Sequence, residues 1–401
     1  MRNTLLITVP LLFFLCCSRC AAQPAKPAGS VAPASSEQTA KLQTGADQID
    51  VLKAMVGTKR VGLVVNYTAL VGNTHLADTL RSVGIQVKKI LAPEHGFRGT
   101  AAAGEYVKDG IDSKTGLPVV SLYGNDRKPK PEHLADIDVI VYDIQDVGVR
   151  FFTYIGTLHY VMEACAENNK EIIVLDRPNP NASYIDGPVL KMEFKSFIGM
   201  HPVPVVHGMS VGEFARMING EGWLAGKKTA RLEVVPMKNW KHADPYSLPV
   251  KPSPNLPNDQ AIRLYPTVCY FEGTVLSLGR GTDMPFQVIG HPDLKGLPFQ
   301  FTPVSIPGMA IKPPQENKLC FGIDLRNVEV PKKIELHYLL DMYRRFPDKE
   351  KFFIPFFERL AGNAELRQQI KDGLSEDEIR ATWQKDLEAY KSMRQKYLLY
   401  P

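Results

Sequence analysis

The strongest constraint in this chain is a repeated alternation between Arg60 and Asn219. Short, nearly uninterrupted apolar runs take turns with amphipathic helical stretches. Arg60–Val65 (RVGLVV), Gln86–Leu91, Pro118–Leu122, Ile137–Tyr142 (IDVIVY) and Glu171–Leu175 (EIIVL) read as strands, with Val203–Val206 as a sixth. His75–Val83, Ile155–Asn168 and a stretch from Val211 to about Asn219 read as helices. A strand that is apolar at every position has no face for water. It must be covered on both sides, as in a parallel sheet with crossover helices. The expected fold is therefore α/β, a Rossmann-like doubly wound parallel sheet over residues 47–258. Lys251–Pro257 (KPSPNLP) is proline-dense and reads as a domain junction. Beyond it the pattern loosens, with Phe271–Leu278, Pro285–Ile289 and Leu319–Val328 as strand-like runs, a helix near Leu336–Phe346 and two closing helices. This predicts a second, smaller α+β C-terminal domain over 259–401 that closes a cleft. Ser375 and Glu378 have the spacing of a capping box at the start of the last helix.

Hydrophobic residues make up 44% of the 401 positions, enough for a large core, so disorder and collagen-like folds are excluded. The net charge of +5 is too mild and too scattered for a dedicated nucleic-acid binder. At the N-terminus Arg2 precedes the apolar run Leu5–Leu15, and small residues follow at Ala21 and Ala22. This is the layout of a secretory signal peptide over 1–22, and the run is too short for a membrane span. The protein is expected to be exported and periplasmic. A lipid anchor on Cys16, Cys17 or Cys20 is a further reading, although Leu15, Cys16 and Arg19 are larger than the residues usual before a lipidation site. Residues 23–46, rich in Ala, Pro, Ser, Gln and Lys, are expected to be a flexible linker. Cys165, Cys269 and Cys320 remain after processing, with no CxxC spacing, and are expected to be small buried apolar residues. The sequence assigns no oligomeric state.

Several chemistries lack their signatures. No GxGxxG follows the first strand, no Walker loop is present, and HExxH is missing. No cofactor and no metal are expected. Gly208-Met209-Ser210-Val211-Gly212 matches G-x-S-x-G between a strand and a helix, the setting of a nucleophilic serine. Glu213 stands three residues after Ser210, however, which is a helix-start signature and explains the serine without catalysis. A serine esterase or amidase is kept as a rival reading.

In open parallel sheets ligands bind beyond the carboxyl ends of the strands. The residues there are Asn66 after the first strand and Pro93-Glu94-His95-Gly96-Phe97-Arg98-Gly99 after the second. The fourth strand gives Asp143, Gln145, Asp146 and Arg150, and the fifth gives Asp176, Arg177 and Asn179. The segment after Glu94 shows no strand until Pro118 and holds Gly96, Gly99, Gly104 and Gly110, the mark of a functional loop. Glu94, Glu105, Asp143, Asp146 and Asp176 offer acids and bases, while Arg98, Arg150 and Arg177 suit a carboxylate-bearing substrate. Phe97, Tyr123, Phe151, Phe152 and Tyr154 offer flat faces for sugar rings. Carboxylates, aromatics, export and no cofactor motif together favour a hydrolase of a wall polymer. A non-catalytic module that captures sugars is the second rival.

Six runs occur in order: Leu91–Gly99 (LAPEHGFRG), Val141–Leu158 (VYDIQDVGVRFFTYIGTL), Leu175–Pro180 (LDRPNP), His207–Ala215 (HGMSVGEFA), Pro252–Pro257 (PSPNLP) and Glu272–Thr282 (EGTVLSLGRGT). With them the chain, from about Ile49 onward, resembles the NamZ family of exo-β-N-acetylmuramidases. The resemblance implies an active site between the two domains. It also implies release of N-acetylmuramic acid from the non-reducing end of peptidoglycan fragments, so peptidoglycan-derived saccharides are the expected partners. It places the catalytic glutamate of the PEHG motif at Glu94. Thr is common in the family at the position of Ser210, which suits a cap better than a nucleophile. The chain departs from the family at Val275 and Leu278, where an Asn and an acidic residue are expected, while Glu272, Arg280 and Asp283 remain available.

Glycoside cleavage typically uses two carboxyl groups. Glu94 is the expected general acid. Asp143, Asp146, Asp176 and Glu272 all qualify by position as the second group, and the substrate's own 2-acetamido group is an alternative nucleophile. His95, Arg98, Gln145, Tyr154, Asp176, Arg177, Asn179 and Asp283 are expected around the substrate. Arg150, Arg177 or Arg280 is expected to meet the lactyl carboxylate of muramic acid. Residues 96–117 and 270–292 are expected to wall off a pocket for exo action.

Overall fold

The computed structural model describes residues 41–94, 96–98, 109–124 and 126–401. The expected leader, the linker up to residue 40, His95, Gly99 and Glu105 lie outside the described residues. In chain order the strands are β1 (Val61–Val65), β2 (Leu70–Val71), β3 (Thr74–His75), β4 (Val87–Ala92), β5 (Gly110–Ile111), β6 (Pro118–Ser121), β7 (Val139–Asp143), β8 (Glu171–Leu175), β9 (Arg231–Val235), β10 (Val288–His291), β11 (Phe299–Phe301) and β12 (Cys320–Asp324). The helices are α1 (Ile49–Val56), α2 (Leu76–Ser82), α3 (Pro131–Leu134), α4 (Tyr154–Glu167), α5 (Val211–Gly220), α6 (Asp259–Val268), α7 (His337–Arg345), α8 (Lys349–Phe352), α9 (Phe357–Ala361), α10 (Glu365–Lys371) and α11 (Glu376–Arg394).

The apolar runs pair as expected into one sheet of order β5-β6-β4-β1-β7-β8-β9, parallel throughout except for β5. β1 and β7 are buried at all five positions, as strands covered on both faces must be. From β1 the chain moves outward through β4 to β6, then returns to the other side of β1 to lay down β7, β8 and β9. The direction of winding reverses between β1 and β7, so the crevice beyond their carboxyl ends is the topological switch point where such sheets bind ligands. Asn66 follows β1, Glu94 follows β4 and the Asp143–Thr153 loop follows β7, all at that edge.

Three elements differ from the sequence reading. The sixth parallel strand is β9, not Val203–Val206; Val206 makes only isolated bridges, to Val149 and Asp186. As an edge strand, β9 carries Arg231 and Glu233 on an exposed side, so its apolar run is interrupted. Phe271–Leu278 is not a strand. A 3-10 turn over Cys269–Gly273 leads into irregular chain, fastened by Val275 N–H donating to the Phe352 carbonyl at 3.0 Å. Helix α6 was hidden by Pro266 in its interior. The proline removes the donor for the Ile262 carbonyl, and the Asn181 amide supplies one instead at 3.4 Å.

The C-terminal part holds a three-stranded antiparallel sheet, β10-β12-β11, with α7–α11. It is tied to the first domain through the core as well as the surface. One apolar cluster runs from Tyr142 and Phe214 to Tyr270, Phe357 and Trp383. The chain end returns to the first domain: Tyr390 donates its hydroxyl to the His207 carbonyl at 2.8 Å, and Tyr400 donates to Asp176 Oδ2 at 2.6 Å. Packed chain also starts earlier than the linker reading placed it. Gln43 bridges Lys238, and Gly45 N–H donates to the Asp176 carbonyl at 2.8 Å.

Candidate active site

At the switch-point edge a cavity of about 170 Å³ opens between the two domains. The first domain contributes Glu94, the Phe151–Tyr154 turn, Ile198 and Ser253; the C-terminal part contributes Tyr265, Glu272 and Arg280. The turn is set by Gly148, whose φ of +73° is in the left-handed region. A Cβ there would lie 2.1 Å from the Asn179 amide, so only glycine lets this loop cross the β8 loop. The chain then delivers Phe151 and Phe152 to the cavity, edge-on to Tyr265 at ring distances of 5.7 and 6.0 Å.

Glu94 is fixed from two sides. The Tyr123 hydroxyl donates to its Oε1 at 3.0 Å, and the Thr153 hydroxyl donates to its Oε2 at 3.4 Å. Thr153 occupies the N-cap position of α4 yet makes no side-chain cap bond, so its hydroxyl serves the carboxyl instead of the helix. Across the cavity Glu272 accepts from Arg280 Nε at 2.6 Å and from the Cys269 thiol at 3.7 Å. Burial works against the charge on Arg280, but the Glu272 carboxylate outweighs it and raises the guanidinium's pKa. Both partners of this pair are 24% exposed, so a ligand in the cavity reaches them. The Arg280 guanidinium also lies 5.0 Å from the centre of the Phe286 ring.

The structure thus brings together Glu94, Tyr154, Glu272 and Arg280 of the residues expected from sequence. The other described acids, amides and arginines expected there do not line the cavity. Asp143 is fully buried and takes two bonds from Arg177, Nε at 2.5 Å and Nη2 at 2.8 Å, so each neutralises the other. Arg150 is 1% exposed and spends its guanidinium on four carbonyls, those of Pro188, Val203, Leu360 and Ala361. It cannot meet a lactyl carboxylate, because it clamps the two domains. Arg98 holds Asp112 with two bonds, at 3.0 and 2.8 Å, and stacks over Phe97. Burial pushes the Asp112 carboxyl up, yet Arg98 and Thr115 overcome it and hold the pKa at about 2. Gln145 donates to the carbonyls of Asp146 and Pro178, and Asn179 to that of Met209. Asp283 is exposed and does not line the cavity. His95 lies outside the described residues.

Two further carboxyls are structural and unusual. Asp146 is buried, takes one bond from Gly148 N–H at 2.7 Å, and has its pKa pushed up to about 7 by desolvation. Asp176 is fully buried and accepts from Ser210, Tyr400 and the Gly212 N–H; desolvation still raises it to about 6. Ser210 is therefore a cap, not a nucleophile. It forms the capping box with Glu213, donates to Asp176 at 2.6 Å, is 0% exposed, and does not line the Glu94 cavity.

Sequence reasoning missed Tyr265, Ser253, Ile198 and Thr153, and noticed Tyr123 only as an aromatic. Tyr265 belongs to the helix that Pro266 concealed. Thr153 and Ser253 stand inside the Val141–Leu158 and Pro252–Pro257 runs, which flagged the segments but not these side chains, and Ile198 carries no pattern beyond ordinary loop composition. Cys165, Cys269 and Cys320 are free and buried, as expected. Among the described residues no group of three His, Cys, Asp or Glu side chains could hold a metal ion. Among them, too, no helix is long and apolar enough to cross a membrane.

Comparison with known proteins covers nearly all of this architecture. Residues 61–260 match the family model of the exo-β-N-acetylmuramidase NamZ N-terminal domain, and residues 263–400 match that of its C-terminal domain. The peptidoglycan β-N-acetylmuramidase NamZ of Bacillus subtilis (strain 168) is 39% identical over 402 residues, spanning 93% of this chain and 95% of the relative. Crystal structures of two DUF1343 family proteins from Bacteroides fragilis NCTC 9343 share the fold. One superposes with a TM-score of 0.84 at 47% identity, the other with 0.75 at 32%, each covering 90% of this chain and 99% of its own. The chain belongs to the NamZ family of exo-β-N-acetylmuramidases.

Proposed function

We propose that this protein is an exo-acting glycosidase that releases N-acetylmuramic acid from the non-reducing end of peptidoglycan fragments, in cell-wall turnover or recycling. The observation that carries this reading is the inter-domain cavity holding Glu94 opposite the Glu272–Arg280 pair. Its volume of about 170 Å³ falls below the ~300–1,000 Å³ of pockets for larger ligands, and suits one terminal sugar better than a stretch of strand. Glu272 and Arg280 of the 270–292 segment line it, which supports this reading. The described parts of 96–117 contribute no lining residue.

Glu94 is the general acid that protonates the leaving oxygen, oriented by Tyr123 and Thr153. The two carboxyls sit in different company, one among hydroxyls and one against a guanidinium, which is how one site divides acid from base or nucleophile roles. Glu272 is the best-placed second carboxyl. Arg280 is the cation among the described residues of the cavity lining, and we assign it the lactyl carboxylate, with Glu272 holding it in place. Arg2, Leu5–Leu15 and Ala21-Ala22 favour export to the periplasm, where such a substrate lies, with a lipid anchor on Cys16, Cys17 or Cys20 as the alternative end state.

The test is hydrolysis of a chromogenic β-N-acetylmuramide beside the matching β-N-acetylglucosaminide, by the parent enzyme, Glu94→Gln and Arg280→Ala. Turnover should prefer the muramide, fall at least 100-fold in Glu94→Gln, and lose its preference in Arg280→Ala. Binding of muramic acid without turnover would replace the enzyme by a sugar-capture module. Internal cutting of long glycan strands would end the exo reading.

A further inference from the structure

The floor of the switch-point crevice holds polar atoms that the fold leaves unused. Asn66 follows β1 and is 0% exposed. Its Oδ1 accepts both the Thr68 N–H, at 2.9 Å, and the Thr68 hydroxyl, at 2.6 Å. The amide cannot be turned around, because its NH2 would then face the Thr68 N–H, donor against donor. Its Nδ2 therefore points away from Thr68 with fixed direction, toward the Tyr154 hydroxyl, and makes no hydrogen bond of normal geometry. Tyr154 is 3% exposed and lines the Glu94 cavity, and its hydroxyl makes no such bond either. The hydroxyl of the neighbouring Tyr67 is the third. These groups sense one another. After desolvation, Tyr67 and then Glu94 raise the Tyr154 pKa, while the Asn66 amide, facing the hydroxyl in a weak hydrogen bond, lowers it.

Buried polar groups are almost always paired, so the unsatisfied Tyr154 hydroxyl in the cavity lining, with the Asn66 amide and Tyr67 hydroxyl next to it behind that lining, marks where a ligand completes them. The ligand group is defined by what faces it. These donors are neutral, and the substrate's carboxylate is already assigned to Arg280 on the Glu272 side of the cavity. A neutral acceptor suits them better than a carboxylate. Phe152 stands edge-on to Tyr154 with ring centres 5.0 Å apart and lines the same cavity, giving an apolar wall beside the donors. Amide-type donors beside an aromatic wall match an acetamido group: carbonyl oxygen to the Asn66 amide, N–H to a tyrosine oxygen, methyl to Phe152.

We propose that Asn66 and Tyr154 hold the 2-acetamido group of the terminal sugar, so that the end of β1 selects for an N-acetylated substrate and positions it under Glu94. The inference deepens the muramidase reading and rests on it. Asn66 and Tyr154 bind and position; the proton transfer belongs to Glu94. The cleanest variant is Tyr154→Phe, since the hydroxyl it deletes makes no hydrogen bond of normal geometry and interacts only weakly with the Asn66 amide, so its loss should lower the melting temperature little. Asn66→Asp is the second variant, retaining the acceptor for Thr68 while replacing the donor.

The experiment measures, by calorimetry, binding of N-acetylmuramic acid and of 3-O-lactylglucose, which carries a hydroxyl in place of the acetamide. KM and kcat on the chromogenic muramide accompany it. The parent protein should favour the acetamido sugar, and each variant should narrow that ratio about tenfold with its fold intact. An unchanged ratio in both variants, with muramide turnover present in the parent, overturns the acetamide assignment and leaves the function standing. A parent protein that neither binds nor cleaves any muramide overturns both.

Discussion

Replacing Arg150 separates a clamp from a ligand. Arg150→Met keeps most of the side chain's volume and deletes the guanidinium. Four buried carbonyls, two on each side of the domain boundary, then lose their donors. Each unsatisfied group costs ~1–3 kcal/mol. Part of this is returned, because the parent pays for a buried charge with no carboxylate partner. Burial pushes the Arg150 pKa from 12.5 down to about 10, equivalent to ~3 kcal/mol at about 1.4 kcal/mol per decade. The expected net loss is ~3–5 kcal/mol, the range seen when one side of a buried charged network is removed. Arg150→Lys keeps the charge but has no planar fork, so it should recover only part of the loss. Urea unfolding followed by tryptophan fluorescence reads the stability. Muramide hydrolysis at low temperature, where the variant is still folded, reads the site. A clamp predicts a lowered urea midpoint with KM within about twofold of the parent. Stability within ~1 kcal/mol of the parent together with a tenfold rise in KM would refute the argument and return Arg150 to the substrate.

Ser210→Ala should keep full hydrolytic activity while losing ~1–3 kcal/mol of stability, since α5 loses its cap and Asp176 one of its donors; loss of activity in a folded variant would restore the serine nucleophile. The buried carboxyls set an alkaline limb. The folded pKa of Asp146, about 7, lies above its ordinary 3.8. Its contribution to stability is therefore complete below about pH 4 and is lost as pH rises through about 7. Asp146→Asn should accordingly stabilise the protein by ~2–4 kcal/mol at pH 8 and hardly at all at pH 4, and equal gains in urea midpoint at both would contradict the assignment. His207 acts in the opposite sense. Desolvation lowers it from 6.5 to about 3, so its stabilisation is present above pH 6.5 and drains as pH falls toward 3, a decline that His207→Asn should flatten in melts between pH 7 and 4.

Both domains rest on patterns visible in the chain. Fully apolar runs such as VGLVV and EIIVL have one stable use, the interior of a covered sheet, and their spacing leaves room for crossover helices. That local logic also located the switch-point edge and placed Glu94 on it. The capping boxes at Ser210 and Ser375 were legible for the same reason, since both partners lie within one turn. β9 and α6 were not, because an edge strand carries charges and because Pro266 is tolerated only through a donor from Asn181, 81 residues away.

The allocation of roles along the edge was beyond local reading. Asp143, Asp176, Glu94 and Glu272 are the same kind of group in sequence. What distinguishes them is company: Arg177 for the first, Ser210 and Tyr400 for the second, hydroxyls for the third and Arg280 for the last. The arginines divide the same way, with Arg150 and Arg177 consumed inside the protein and Arg280 left at the cavity. Sequence by itself determined the covered parallel sheet, its ligand-binding edge and the helix caps, because periodicity and capping are local. Only tertiary structure decided which ionisable groups face the cavity, because burial and pairing depend on partners up to 224 residues apart, as between Asp176 and Tyr400.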